Sequence, residues 1–440
     1  MINIITNFSR YVFIIAAAVY AIFCFISFGS RHDKHKGGSY VFQNVLMFGI
    51  HFLGSMIIYL NRQDEKYLYF YAAQVLFLLL TVVLYAKLYK QSSRLLINNM
   101  CFLLMVGFLY LTRLNYDYAV KQFLVAVIAV AFAFVIPLII GFSGKLRKGG
   151  WLYGLVGLAL VGSVFVIGKT LFGATNWIEI AGFSLQPSEL AKIAFVFFLA
   201  SMLYNCSDFK RIALVSVVAV IFVAVLVLEK DLGASVIFFM VYMVMLYVAT
   251  KQKRYIGIGL AGMAGAGVAG YKLFSHVRTR FIAWLDPWSH YENEGYQIAQ
   301  SLFAISTGGW FGLGLFKGSP TLIPIYISDF ILSALTEEMG ILFTICLILI
   351  YTSCFIMFIN ISLQFTDPFY KLVAIGLSVA YGFQVFLTVG GVIKLIPHTG
   401  VTLPLISYGG SSVLSTIIIF AVIQGLYVLC QREEVQESES

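Results

Sequence analysis

The 440-residue chain reads as an all-α, polytopic transmembrane protein, and three observations carry that reading. Hydrophobic residues make up 60% of it and charged residues only 11%, against roughly 25% charged in soluble domains. Apolar runs of the length that crosses a bilayer, about 20 residues each, recur from one end to the other. The basic residues cluster in alternate connections between those runs, as the positive-inside rule requires. A membrane β-barrel would show period-two alternation instead. The formal net charge of +9 is distributed over short connections, so it implies no nucleic-acid partner.

Thirteen spans follow, at about 11–29, 40–61, 67–88, 95–112, 122–143, 151–171, 189–205, 211–228, 232–250, 255–274, 330–358, 369–392 and 411–430. Under this count five basic connections share one side. They hold Arg31, Lys34 and Lys36; Lys87, Lys90 and Arg94; Lys145, Arg147 and Lys148; Lys210 and Arg211; and Lys251, Lys253 and Arg254. That side is expected to be cytoplasmic, which puts the C-terminal QREEVQESES inside and the N-terminus outside. Arg10 before an apolar run has the look of a secretory signal, but no small-residue cleavage site follows and more spans do. The first helix is therefore read as uncleaved. Cys24, Cys101, Cys206, Cys346, Cys354 and Cys430 lie in or beside spans without CxxC spacing, so neither disulfides nor a zinc site is indicated.

Two connections stand apart. An outer loop of about residues 275–328 carries Trp284, Trp288 and Trp310, which suit a membrane interface. Its GYQIAQSLFAI stretch has helical spacing and is expected to lie along the surface, and loops of this length are usually functional. The second, PHTGVTLPLISYGGSS at 397–412, has two prolines, three glycines and a line of hydroxyls. Proline removes backbone donors and glycine admits unusual conformations. Irregular backbone at membrane depth survives only where protein or a watery cavity covers it, so this segment is expected to fold back into the protein and line a cavity.

Polar residues at membrane depth mark functional sites by default. Glu189 and Lys192, at i and i+3, share a helical face as a pair; the pair reads either as functional or as a tie between helices. Pro187 suits a first helical turn, with Ser188 or Gln186 as a cap. Glu229, Lys230 and Asp231 read as a solvated loop cluster. Asp329 enters a span directly after the long loop, with Glu337 and Glu338 about two turns further on, and an isolated carboxylate there has few structural uses.

Five segments, in this order, resemble the SEDS family (shape, elongation, division and sporulation), which contains FtsW, RodA and SpoVE. They are GATNWIEIAGFSLQPSELAKIA at 173–194, EKDLGASVIF at 229–238, RFIAWLDPW with GYQIAQSLFAISTGGWFGLGL within 280–315, SDFILSALTEEMG at 328–340 and PHTGVTLPLISYGGSS at 397–412. The resemblance covers about residues 95–430 and implies three regions. Residues 1–94 form an N-terminal three-helix membrane extension, 95–430 the ten-helix glycosyltransferase core with its long extracellular loop, and 431–440 a cytoplasmic tail.

The resemblance implies a peptidoglycan glycosyltransferase that polymerises lipid II at the outer face of the bacterial cytoplasmic membrane, working with a class B penicillin-binding protein. The family's essential aspartate falls on Asp329, its QPSE-x-x-K pair on Glu189 and Lys192, its preceding tryptophan on Trp177 and its loop arginine on Arg280. Gln186, Ser188, Ser407, Gly409, Gly410 and Ser411 complete the substrate-binding set that the motifs imply. A carboxylate suits the deprotonation of an attacking sugar hydroxyl, and a pyrophosphate leaving group calls for cations or a divalent metal, Mg or Mn. The chain departs from the family at Ile327, where His or Gln is common, at Ser328 for threonine, and at EKDLG for QPDLG. Two other classes fit the intramembrane charges: a lipid II flippase or other transporter, and a scaffold that recruits a cross-linking enzyme. The absence of an internal repeat counts against a transporter.

Overall fold

The computed structural model describes residues 2–29, 33–142, 146–171, 174–180, 183–206 and 208–439. Arg31 and Lys145 of the basic connections, and Gly173, Ala181 and Gly182 of the first motif, lie outside them. The elements run α1 (Ile2–Gly29), α2 (Asp33–Arg62), α3 (Lys66–Leu88), α4 (Arg94–Leu114), α5 (Tyr116–Ala133), α6 (Ile136–Phe142), α7 (Gly150–Gly162) and α8 (Val164–Ile167). Strands β1 (Lys169–Leu171), β2 (Ala174–Ile180) and β3 (Phe183–Leu185) follow, then α9 (Pro187–Leu203), α10 (Phe209–Leu228), α11 (Leu232–Thr250) and α12 (Lys253–Leu273). The chain continues through α13 (Ser275–Leu285), α14 (Tyr296–Gly308), α15 (Ile331–Met339), α16 (Ile341–Gln364), α17 (Pro368–Val392) and α18 (Gly410–Glu439).

Short polar residues start these helices where the apolar runs begin. Asn115 accepts from the Asp117 and Tyr118 amides at α5, Asp208 from the Lys210 amide at α10, and Asp367 from the Phe369 amide at α17. Each satisfies a donor that the first helical turn leaves open. Pro187 and Pro368 occupy first-turn positions, where the missing N–H costs nothing.

Twelve helices among the described residues are long and apolar enough to cross a membrane. They correspond to twelve of the thirteen predicted spans. The remaining one, 189–205, is α9, whose 17 residues reach only about 26 Å at about 1.5 Å per residue. The predicted span at 330–358 is not continuous: it divides into α15 and α16 at Gly340. The chain segment 309–314 runs beside the break. Leu313 and Gly314 donate to the carbonyls of Glu337 and Glu338, while Ile341 and Leu342 donate to Gly309 and Trp310. The backbones meet so closely that a Cβ on Gly312 would lie 2.3 Å from the Glu338 carbonyl oxygen, and one on Gly340 2.5 Å from the Gly312 nitrogen. Both glycines also have positive φ, +75° and +88°, so a side chain is excluded twice over.

The strands were not anticipated either. β1, β2 and β3 form an antiparallel sheet, with Ile178 opposite Leu185 and Glu179 opposite Ser184. Within ATNWIEI, Asn176 and Ile178 are buried and Glu179 exposed, an alternation with the strand period. In the long connection 275–328, GYQIAQSLFAI does form a helix, α14, and α13 precedes it.

The chain comprises two compact units. The first holds Met1–Phe134, Gln297–Met357 and Thr402–Gly409, and the second the remainder. In the first, α4 is buried along its whole span and carries Asn98, Asn99 and Thr112. Asn99 donates to Ser353 at 2.8 Å and accepts from Tyr20 and Cys24 at 3.1 and 3.3 Å. Gln74 of α3 bridges His51 of α2 and Thr112. The first three helices are thus fastened to the rest of this unit by polar contacts as well as apolar packing. In the second unit α9 is largely buried, packed against α7, α11, α17 and α18.

Candidate active site

In the first unit, Asp329 stands half-buried just before α15, which Phe330 initiates. The short segment leading to it is pinned to the irregular stretch 402–409. Ser407 Oγ donates to the Ser328 carbonyl at 2.6 Å, and the Tyr408 amide to the Ile327 carbonyl at 2.9 Å. The same hydroxyl accepts from the Leu403 amide at 2.8 Å, and Tyr351 of α16 donates to the Pro404 carbonyl at 2.6 Å. Gln122 of α5 grips the stretch from the other side, donating to the Ser407 carbonyl and accepting from the Gly409 amide, both at 2.9 Å. The prediction that 397–412 turns into the protein holds for 403–407, all buried.

Two carboxylates beyond Asp329 are structural. Glu338 accepts three contacts from Arg113, the shortest 2.7 Å, and one from the Gly318 amide, while Glu337 accepts from the Ser319 amide. They tie α15 to α4 and to the loop before Asp329.

In the second unit the predicted set divides into separate networks. Gln186 and Ser188 do not face open space. Both donate to Asp231 Oδ2, at 2.6 and 3.2 Å, as does Asn176 of β2 at 3.0 Å. Asp231 Oδ1 accepts from the Ala234 amide and caps α11. The expected solvated cluster at 229–231 is therefore a correction: Asp231 is a buried hub that joins the sheet, the start of α9 and the start of α11. Glu229 beside it is 1% exposed. Burial, and secondarily the Asp231 charge, push its carboxyl up to about 8. Lys230 stays exposed, at φ +64°.

Glu189 and Lys192 form a buried ion pair at 2.8 Å. Lys192 also donates to Gln384 of α17 at 2.7 Å, Gln384 donates to Ser412 of α18 at 3.1 Å, and Ser415 donates to Glu189. Three helices thereby share one polar core. Ser411 is buried beside Ser412, and Gly410 opens α18. Trp177, on β2, is partly exposed and pairs in register with Lys169. Arg280 is half-buried on α13, one turn from Trp284, whose indole donates to the Lys394 carbonyl at 3.1 Å. Arg280 and Lys230 both depress the protonation of His276, after burial itself. Asp329, Ser407 and Gly409 thus belong to the first unit, and the other predicted residues to the second.

Two residues were missed in the sequence. Asp231 lay inside a quoted motif but in an apparently solvated run. Gln122 is a lone amide in an apolar span, and its polarity at that depth was the available signal. Among the described residues no three His, Cys, Asp or Glu side chains are grouped to hold a metal ion.

Taken together, the bundle and its sites define a polytopic helical membrane protein in which the segment carrying Asp329 is pinned to a buried irregular stretch. Residues 115–429 match the model of the FtsW/RodA/SpoVE cell cycle proteins. The chain belongs to the FtsW/RodA/SpoVE family. It is 37% identical over 298 residues to the peptidoglycan glycosyltransferase RodA of Mycobacterium tuberculosis, covering 63% of this chain and 64% of that protein. It is 36% identical over 261 residues to a probable peptidoglycan glycosyltransferase FtsW of Geobacter sp., covering 57% and 71%. The chain's match thus spans a little under two thirds of the RodA relative. In fold it is similar to a chain from a structure of a peptidoglycan synthase complex that coordinates polymerization and crosslinking, with TM-score 0.64, 24% identity, and coverage of 78% of this chain and 99% of that one.

Proposed function

We propose that this protein is a peptidoglycan glycosyltransferase that polymerises lipid II into β-1,4 glycan strands, with Asp329 as the general base. The observation that carries this reading is the double anchoring of the segment before Asp329 to the 402–409 stretch. Two motifs far apart in sequence cooperate to hold one carboxylate. Asp329 takes the proton of the acceptor 4-hydroxyl as that oxygen attacks the anomeric carbon of the donor sugar. The anomeric carbon–oxygen bond to the lipid pyrophosphate breaks, and the leaving oxygen departs with the electron pair. One displacement inverts an α-linked donor to a β linkage. The charge that develops on the pyrophosphate needs a cation.

Glu189 and Lys192 are bound to each other and to Gln384, so we assign the pair to holding α9, α17 and α18 together rather than to the reacting atoms. Gln186 and Ser188 act through Asp231 in the same way. A divalent ion, if used, would supply further charge neutralisation on the pyrophosphate. The basic connections favour a cytoplasmic C-terminus and an outer face for the long loop, which puts the chemistry where lipid II is consumed. A class B penicillin-binding protein is the expected partner, because a nascent strand requires cross-linking. The test is strand formation from lipid II by the purified protein, which a transporter or a scaffold does not perform.

A further inference from the structure

Gln122 does more than satisfy itself in an apolar span. It is 1% exposed, and its amide faces backbone on both sides: Nε2 donates to the Ser407 carbonyl and Oε1 accepts from the Gly409 amide. That pattern fixes which end is oxygen, because an amide N–H must meet a carbonyl and a backbone N–H must meet an acceptor. The side chain thus pairs with 407–409 as a neighbouring strand would.

The segment it grips is held away from ordinary geometry. Leu405 is fully buried at φ +67°, a region bulky residues avoid and keep only where their surroundings over-determine it. From Ser407 the chain of contacts continues to the Ser328 carbonyl, and from Tyr408 to the Ile327 carbonyl. Asp329 is the next residue. Every link lies within the first unit.

We infer that Gln122 is a positioning residue which, through the Ser407–Gly409 backbone, sets the placement of the Asp329 carboxylate. The inference rests on the reading of Asp329 as the base. It assigns a role in the chemistry to a span that carries none of the family motifs quoted above. A carboxylate at this position could accept from Gly409 but would face the Ser407 carbonyl without a proton to give. A methionine fills the same volume and makes neither bond.

The test compares wild type with Gln122→Met, Gln122→Glu and Ser407→Ala in detergent or nanodiscs, by amide exchange and by lipid II polymerisation. Gln122→Met is expected to speed exchange in peptides covering 325–331 and 403–409 and to leave α1–α3 unchanged. Its kcat is expected to fall about a hundred-fold, the scale of a small misplacement of a reacting group, with KM within about two-fold. Ser407→Ala keeps both Gln122 bonds, removes the hydroxyl's link onward to Ser328 and its contact with the Leu403 amide, and so reports even if Gln122→Met fails to fold. It should speed exchange at 325–331 and lower kcat in the same way. Unchanged exchange at 325–331 in both variants overturns the inference, as does a kcat equal to wild type's. A wild-type protein that polymerises nothing overturns the reading of Asp329 instead, and the exchange data still decide whether Gln122 holds its segment.

Discussion

Arg113, at the end of α4, grips Glu338, near the end of α15, through three N–H···O contacts of 2.7 to 3.2 Å, and the glutamate side chain is wholly buried. The arginine also lies over the Phe316 ring, 4.4 Å from its centroid. Removing one member of such a pair strands a charge in a low-dielectric setting. Arg113→Met should therefore cost about 3 to 5 kcal/mol and lower the thermal midpoint steeply. Glu338→Gln, which keeps an acceptor for Arg113, should cost less. Equal midpoints for both variants and wild type would show that the pair is not a structural tie.

Asp231 makes a second, independent prediction. Asp231→Ala leaves the buried donors of Asn176 and Ser188 and the half-buried one of Gln186 without their shared acceptor and removes the cap of α11. Each stranded donor costs about 1 to 3 kcal/mol. Amide exchange should rise in peptides covering 174–188 while the stretch 402–409 stays protected. Uniform loosening of the whole chain would contradict a local hub.

The pH dependence of stability follows from Glu229. Its carboxyl titrates near 8 in the folded protein, against an ordinary value of 4.5. Between those values the folded state holds a proton that the unfolded state has released. This contribution is complete below about pH 4.5 and is lost as the pH rises through about 8, with a slope of at most about 1.4 kcal/mol per pH unit. Glu229→Gln removes the titrating group, so its thermal midpoint should fall less than wild type's between pH 6 and 9. Parallel profiles for the two proteins would locate the pH dependence elsewhere.

The N-terminal helices yield a fourth expectation. Asn99 gathers Tyr20, Cys24 and Ser353 around one amide. Interhelical hydrogen bonds in membranes are worth about 0.6 to 2 kcal/mol each. Asn99→Leu should therefore lower the midpoint and expose α1 to proteolysis before the other helices. A variant as stable and as resistant as wild type would make the extension an independent appendage.

The helical membrane class was legible because a bilayer imposes long apolar runs and sided basic connections, and both survive in one-dimensional sequence. Asp329 stands out as a candidate for a related reason: a carboxylate at a span entrance is costly enough to notice. The break at Gly340 was not, because its cause is the 309–314 backbone lying against it, a tertiary contact that hydropathy does not record. The β strands escaped notice in a chain dominated by helical runs, although ATNWIEI alternates. Asp231 was misread because Glu229, Lys230 and Asp231 look like a solvated turn. Only the convergence of Asn176, Gln186 and Ser188 on one oxygen reveals the buried aspartate, and those partners lie more than forty residues away.

The most direct measurement is the initial rate of glycan-strand growth from labelled lipid II, in wild type and Asp329→Asn proteins matched for amount and thermal midpoint, with a class B penicillin-binding protein present. Loss of a general base predicts a rate lower by about a hundred- to ten-thousand-fold in the variant, with the wild type producing a ladder of strands. Strand growth at the wild-type rate in Asp329→Asn would contradict the assignment of the base, and no strands from a folded wild type with its partner would contradict the polymerase itself.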